Sequence, residues 1–192
     1  MPEINTAAVD FLLNRRSRPA KTLQAPAPDR DALLPILTAA ARTPDHGKLE
    51  PWRFIVLERA ALDRLATLAV ERGSALGLEP EQVEKTRTTY ADSPLAVVVV
   101  SSPVPSEKVP EIEQVYSAGA VCLSLLNAAL ASGWGANWLS GWASHDRGFV
   151  KDGLGLHPGE AVAGIIHIGT ERAAPPERPR PDLDQKTLWM SE

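Results

Sequence analysis

Two arginines followed by a hydroxyl, Arg15-Arg16-Ser17, are the residues in this chain whose types and spacing most directly suggest chemistry. Guanidinium forks and a serine O–H match the oxygens of a phosphate. The same pair would also suit the negative end of a preceding helix, so both roles stay open here. A second basic group, Arg172, Arg178 and Arg180, lies in a proline-rich tail with prolines at 175, 176, 179 and 181. Proline holds such a segment extended and lowers the entropy cost of ordering it. The tail therefore either reaches across to complete an anion site or stays solvated. Aromatic usage is uneven: five tryptophans stand against three phenylalanines, and Trp134, Trp138 and Trp142 alternate with Gly133, Gly135 and Gly141. A buried indole N–H needs a partner, so the cluster points to a flat ligand, an interface, or aromatic packing on a strand.

Other chemistries lack their residues. There is no Gly-x-x-x-x-Gly-Lys-[Ser/Thr] phosphate loop and no His-Glu-x-x-His. Gly133-x-Gly135 comes nearest to a dinucleotide fingerprint, but it follows a helical pattern and lacks the third glycine. The four histidines, 46, 145, 157 and 167, are scattered, and His167 falls inside a strand pattern, where packing or pairing is the expected role. Ser140, His145 and Asp146 could be drawn as a nucleophilic triad, yet no Gly-x-Ser-x-Gly elbow is present. Asp45 and His46 are two adjacent ligand types without the further carboxylate or histidine that a metal site needs. Cys122 is the only cysteine, which excludes an intrachain disulfide and suits a reducing compartment. A net charge of −4 argues against non-specific nucleic-acid binding.

These residues must be positioned by a chain of 192 residues, enough for one domain burying roughly 70 % of its unfolded surface. At 44 % hydrophobic and 23 % charged, the composition is that of a globular protein. Apolar spacing predicts helices at 7–14, at about 30–43 with Asp29 or Asp31 as cap, and at 60–70 and 79–90. It predicts a long helix at 110–132, with Ile112, Val115, Ala118, Val121, Cys122, Leu125, Leu126 and Ala129 on the apolar face and Gly133 at its end. Residues 19–28 read as extended linker. Strands are expected at 52–57, 95–100, 136–140 and 161–168, with a short helix at 146–151. The β-branched run at 95–100 reads as buried on both faces. About five helices and four interspersed strands make an α/β or α+β domain, with 171–192 as a Pro/Arg-rich extension. The apolar runs fall short of the ~20 residues of a membrane span. The start of the chain lacks the basic and apolar regions of a signal peptide, so a cytoplasmic protein is expected.

Four segments in order give a more specific reading. They are Asn14-Arg15-Arg16-Ser17; Ala41-Arg42-Thr43-Pro44-Asp45-His46 with Pro51-Trp52-Arg53-Phe54; Ser132-Gly133-Trp134-Gly135 with Trp138-Leu139-Ser140-Gly141; and Leu154-Gly155-Leu156-His157-Pro158-Gly159-Glu160 leading to Ile168-Gly169-Thr170. Together, over roughly residues 5–172, they resemble the FMN-dependent nitroreductase family, most closely its small YdjA-type branch. The resemblance implies a three-layer α/β/α member of the α+β class, with a central, mostly antiparallel sheet and FMN at a homodimer interface. It also implies ping-pong chemistry, in which NADH or NADPH reduces the flavin and a nitroaromatic, quinone or similar acceptor is then reduced. By matching position, Arg15, Arg16 and Ser17 would hold the FMN phosphate and ribityl chain, with Arg178 and Arg180 near the phosphate. Arg42 and His46 match flavin-contacting positions, His46 from the partner subunit, and Trp138, Leu139 and Ser140 would line the ring. Ala128, Ala129, Leu130, Ala131, Ser132 and Gly133 match a segment that binds the nicotinamide nucleotide. No side chain is implied as acid or base, and no metal.

The chain departs from the family pattern at three positions. Lys48 and Glu50 stand where the wider family has Asn and Gln, and Leu139 stands where the close branch has Arg. A lysine near the flavin pyrimidine edge could stabilise the anionic reduced ring. The changed cleft also keeps a second reading open, a flavin-binding or flavin-storage protein with little turnover. The cofactor would carry the electron chemistry itself, which accounts for a sequence with anion-binding arginines and no catalytic dyad. The apolar helix at 110–132 is either a dimer surface or a core helix.

Overall fold

A computed structural model describes residues 3–191. Its elements run α1 (Thr6–Asn14), β1 (Leu23–Gln24), α2 (Arg30–Ala40), β2 (Trp52–Leu57), α3 (Arg59–Ala75), α4 (Pro80–Ala91), β3 (Leu95–Ser101), α5 (Glu111–Ala131), β4 (Gly135–Leu139), α6 (Trp142–His145), α7 (Arg147–Leu154) and β5 (Ala161–Glu171). Single turns of 3-10 helix occupy Ala20–Thr22 and His46–Lys48. All strand pairs are antiparallel: β2 with β3, β3 with β5, and both β4 and β1 with β5.

Strand β3 divides the molecule into layers. Every one of its residues is buried, and successive side chains of a strand point to opposite faces. Ala96, Val98 and Val100 pack against Leu62, Leu65 and Ala69 of α3, Tyr90 of α4, and Phe149 and Val150 of α7. Leu95, Val97 and Val99 pack against Leu33 and Ile36 of α2 and Val121, Cys122 and Leu125 of α5. The result is the expected three-layer α+β arrangement with an antiparallel sheet.

Local signals place the helices. Asp29 caps α2 by accepting the Ala32 N–H at 2.9 Å. The end of α5 is a Schellman turn, in which Gly133, at φ +83°, donates to Leu130 O and Trp134 donates to Ala129 O. One expectation needs correcting, and one element went unread. The segment read as linker contains β1, whose two residues pair with the end of β5, a strand too short to show a period. The short helix expected at 146–151 is present as α7, capped by Asp146, whose side chain accepts from Phe149 N–H, and the single turn α6 before it was not anticipated.

Helix α5 also differs from the reading of its face. Ile112 and Val115 are 52 % and 40 % exposed, because the buried face of the helix runs instead through Gln114, Ser117, Ala118, Val121 and Cys122. Its 21 residues and a mean hydropathy of 1.4 over the most apolar window meet the composition of a membrane span, which the broken apolar runs had not suggested. Val121, Cys122, Leu125, Leu126 and Ala129 pack on the sheet, as those of a core helix do.

Two largely buried carboxylates join neighbouring elements. Asp146 accepts from the Arg72 guanidinium at 2.8 Å, and that ion pair holds its carboxyl below the usual range. Glu160, at the start of β5, takes a bidentate pair from Arg53 of β2 at 2.7 and 2.8 Å and a third bond from His157 N–H. The Arg53 hydrogen bonds pull the Glu160 carboxyl down to about 2. A carboxyl so depressed stabilises the fold above its ordinary pKa and loses that contribution as pH falls toward 2. Glu160→Gln should therefore cost about 1–2 kcal/mol at neutral pH. In urea unfolding at stepwise lower pH, the gap from the parent protein should close below about pH 4.

Candidate functional site

The Arg15-Arg16-Ser17 segment leaves α1 and is held against the sheet edge by backbone bonds. Arg15 N–H closes the helix on Phe11 O at 2.7 Å. Arg18 N–H then donates to Ala136 O of β4 at 2.8 Å, and Asn137 Nδ2 donates to Arg18 O at 2.7 Å. Arg18 also pairs with Glu171, the last residue of β5. The three residues before Arg18 are thus fixed along β4, and their side chains face a cleft of about 790 Å³. Its walls include Arg15, Arg16, Ser17, Trp138, Arg178 and Arg180. The two distant basic groups of the sequence meet here.

The cleft is strongly cationic. Burial and the neighbouring Arg180 and Arg16 charges lower the Arg15 pKa. Arg15 reaches Asn127 Oδ1 of α5 at 3.5 Å, and Arg16 donates to Pro176 O at 3.0 Å. Arg16 Nε is buried without a hydrogen-bond partner among the described residues. An orphaned guanidinium N–H costs free energy unless an acceptor reaches it. A cleft that gathers four guanidiniums and leaves one N–H unmet fits a phosphate group.

A smaller recess of about 350 Å³ adjoins Arg15, Arg16 and Arg18 from the other side, lined by Leu130, Gly133 and Trp134. Of the segment 128–133, Ala129 is fully buried in the core, Ala128 and Leu130 are half-buried against it, and Ala131, Ser132 and Gly133 are exposed. These residues form the carbonyl end of α5, which disfavours anions. Positive charge for a nucleotide there would come from the adjacent arginines.

Strand alternation separates Trp138 from Leu139. Trp138 lies over Gly164 of β5, where a Cβ would run into its indole. Leu139 points to the other face and, with Ser140, lines a third recess of about 370 Å³ beside Tyr90, Trp142 and His167. The three clustered tryptophans accordingly do not converge: Trp134 packs with the α2–α5 layer and Trp142 with the opposite one. Gly135 is required by packing, since a Cβ would collide with Leu23. His167 is the packed and paired histidine expected, with Nδ1 at 2.8 Å from Ser93 Oγ and its pKa lowered by burial to about 4. Asp146 is engaged by Arg72 and the α7 N-terminus, which removes the orienting acid from a Ser140–His145 triad.

Arg42 and His46 do not join the arginine cleft within one chain. Their loop packs on the N-terminal half of α5: Ser117 Oγ donates to Pro44 O, and His46 Nδ1 lies 2.7 Å from Glu113. Asn127, which touches Arg15, is ten residues further along the helix, about 15 Å. The loop is tightly wound, with left-handed backbone at Gly47, Lys48 and Glu50, and Asp45 Oδ2 accepts the Glu50 N–H at 2.6 Å. Lys48 and Glu50 sit where glycine would be easier, a local strain that is common at functional loops.

Sequence reading missed Asn127, Asn137, Glu171 and Glu177. The first two are isolated amides whose partners lie across the fold, so no spacing announces them. Asn137→Ala leaves the Arg18 carbonyl without its donor and should cost about 1 kcal/mol. Faster hydrogen exchange at the Arg18 amide, relative to core amides of β3, is the expected signature.

Comparison with known proteins places the fold in a family. The nitroreductase family model matches residues 12–170. The Escherichia coli K12 protein named "Putative NAD(P)H nitroreductase YdjA" is 34 % identical over 163 residues, covering 85 % of this chain and 87 % of that protein. A nitroreductase-like family protein from Bacillus cereus superposes with a TM-score of 0.77 at 23 % identity, covering all of both chains. A nitroreductase-fold protein from Desulfovibrio desulfuricans, solved in complex with FMN, gives a TM-score of 0.72 at 20 % identity over 98 % of each chain. This chain belongs to the nitroreductase family.

Proposed function

We propose that the protein is an FMN-dependent NAD(P)H oxidoreductase working as a homodimer. One observation carries the reading: Arg15, Arg16, Arg178 and Arg180 converge on one cleft in which Arg16 Nε lacks an acceptor. The YdjA relative is named for NAD(P)H nitroreduction, and a structural neighbour was solved with FMN, which supports the same cofactor and reductant here.

In this reading Arg15, Arg16 and Ser17 bind the flavin phosphate and ribityl chain, with Arg178 and Arg180 closing over the phosphate. Trp138 borders the ring from the end of β4, and Leu139 and Ser140, whose side chains line the recess on the other face, meet it through their backbone. Bound FMN would supply the hydride and electron chemistry. The chain's own residues hold it, keep water from one side and leave room for the nicotinamide near residues 128–133. Reductant and acceptor use the site in turn, and a nitroaromatic or quinone suits a planar cleft.

Uncovered apolar surface supports the dimer. Helix α1 has no buried residue, yet carries Val9, Leu12 and Leu13. Ile112, Val115, Tyr116 and Leu123 form an exposed stripe on α5. A second copy would cover these faces and bring its Arg42 and His46 loop to the cleft. Residues 1–192 form one functional unit, with the tail from 171 as its extension, in the cytoplasm where NAD(P)H is supplied. Leu139 presents carbon where a charged group would be expected, and this favours the storage reading as the second choice.

An absorption spectrum of the purified protein, followed by anaerobic titration with NADH and NADPH, tests the proposal. A yellow protein that releases FMN on heating and bleaches with either nucleotide is the expected result. Bound FMN that neither nucleotide bleaches selects the storage reading, and a colourless protein that refuses FMN rejects both. The Arg15→Ala, Ser17→Ala double variant should purify largely without flavin, and full occupancy would remove those residues from the site.

A further inference from the structure

The tail does more than carry two arginines into the cleft. It also carries Glu177, and one oxygen of that carboxylate gathers donors from three directions. Glu177 Oε1 accepts the Arg178 backbone N–H at 2.8 Å and lies 3.1 Å from Arg180 Nη2. The same oxygen stands 3.9 Å from Arg16 Nε, the orphaned donor, close enough for attraction but too far for a hydrogen bond. Arg16 Nη2 meanwhile holds the neighbouring Pro176 carbonyl, and Arg180 Nη2 reaches Leu13 O at 3.5 Å. The tail is therefore fastened across the end of α1 with the Glu177 carboxylate set among the guanidiniums.

We infer that Glu177 is a tethered counter-anion of the arginine cleft, occupying part of the place of an incoming phosphate and competing with it. The inference rests on the flavin reading for the identity of that phosphate. Without an anion, Arg15, Arg16, Arg178 and Arg180 repel one another, and a carboxylate on the strap offsets the repulsion and keeps the strap docked. A phosphate dianion brings more charge and more acceptor oxygens than a carboxylate. It takes over Arg16 Nε and Arg180, and Glu177 must turn outward, which its exposed position permits. Prolines on both sides of Glu177 keep the strap extended, so the exchange needs only a side-chain rotation. The acid thus lowers affinity for the cofactor phosphate while steadying the empty site, the opposite sign from the arginines around it.

The test compares the apo form of the parent chain with Glu177→Gln and Glu177→Asp, titrated with FMN and with riboflavin, which lacks the phosphate, at low salt. Glu177→Gln should bind FMN about three- to fivefold more tightly, the scale of an exposed ion pair, with riboflavin unchanged. Glu177→Asp keeps the charge and should stay within about twofold of the parent. The gain should shrink as salt is raised. Equal or weaker FMN binding by Glu177→Gln overturns the inference, as does equal tightening by both variants. If no form binds either flavin, the flavin reading falls, and titration with inorganic phosphate then decides the role of Glu177. Tighter phosphate binding by Glu177→Gln upholds the role, and equal or weaker binding rejects it.

Discussion

Strand β5 is the constraint on which the rest of the structure depends. Every other strand except β2 pairs with it directly: β3 along most of its length, β4 beside its C-terminal half, and β1 at its last two residues. All the parts of the arginine cleft hang from that arrangement. β4 brings Trp138 and, through its bonds to Arg18, the Arg15–Ser17 segment. The tail with Arg178 and Arg180 is the continuation of β5 itself. Two glycines make the crowding tolerable. Gly164 leaves space for the Trp138 indole, and Gly169 lies against the Gln24 backbone and Pro94, where a Cβ would clash.

Charge is the second constraint. Concentrating guanidiniums in a partly buried cleft opposes folding, and the lowered pKa of Arg15 is the trace of that opposition. The fold absorbs it with acceptors on every side: Asn127, the Pro176 and Leu13 carbonyls, Glu171 on Arg18, and Glu177 on the strap. Elsewhere arginine is used differently. Arg53 and Arg72 each have a largely buried carboxylate of their own, bidentate and complete, and their bonds join neighbouring elements rather than await a ligand. The contrast between saturated and unsaturated guanidiniums separates structural arginines from binding ones.

That contrast also explains what was legible in the sequence. The β-branched run of β3, the capped α2 and the glycine end of α5 were readable because each is decided within a few residues. β1 was not, because two residues carry no period and exist as a strand only through the end of β5. For the site, Arg15-Arg16-Ser17 and the tail arginines were legible as types, but their meeting was not. It depends on β4 and β5 lying side by side, thirty residues apart in the chain. The tryptophan cluster misled for the same reason: spacing of four along the chain spans a turn, a strand and a helix start, and these face different layers.

Alternation on β4 has a further consequence for chemistry. Because Trp138 and Leu139 face opposite sides, a ring bordered by this strand meets an aromatic wall on the cleft side and cannot also be stacked on Leu139 from that side. Leu139 instead shapes the recess that holds Tyr90 and His167, two buried groups on which burial acts in opposite directions. It raises the Tyr90 pKa and lowers that of His167, so both stay neutral at physiological pH. A leucine there adds no charge to the recess, whose charged lining residue is Lys85 of α4. The positive field of the cleft itself is then supplied from the arginine side, which makes the occupancy of those arginines, rather than the residue at 139, the main electrostatic control on whatever the cleft binds.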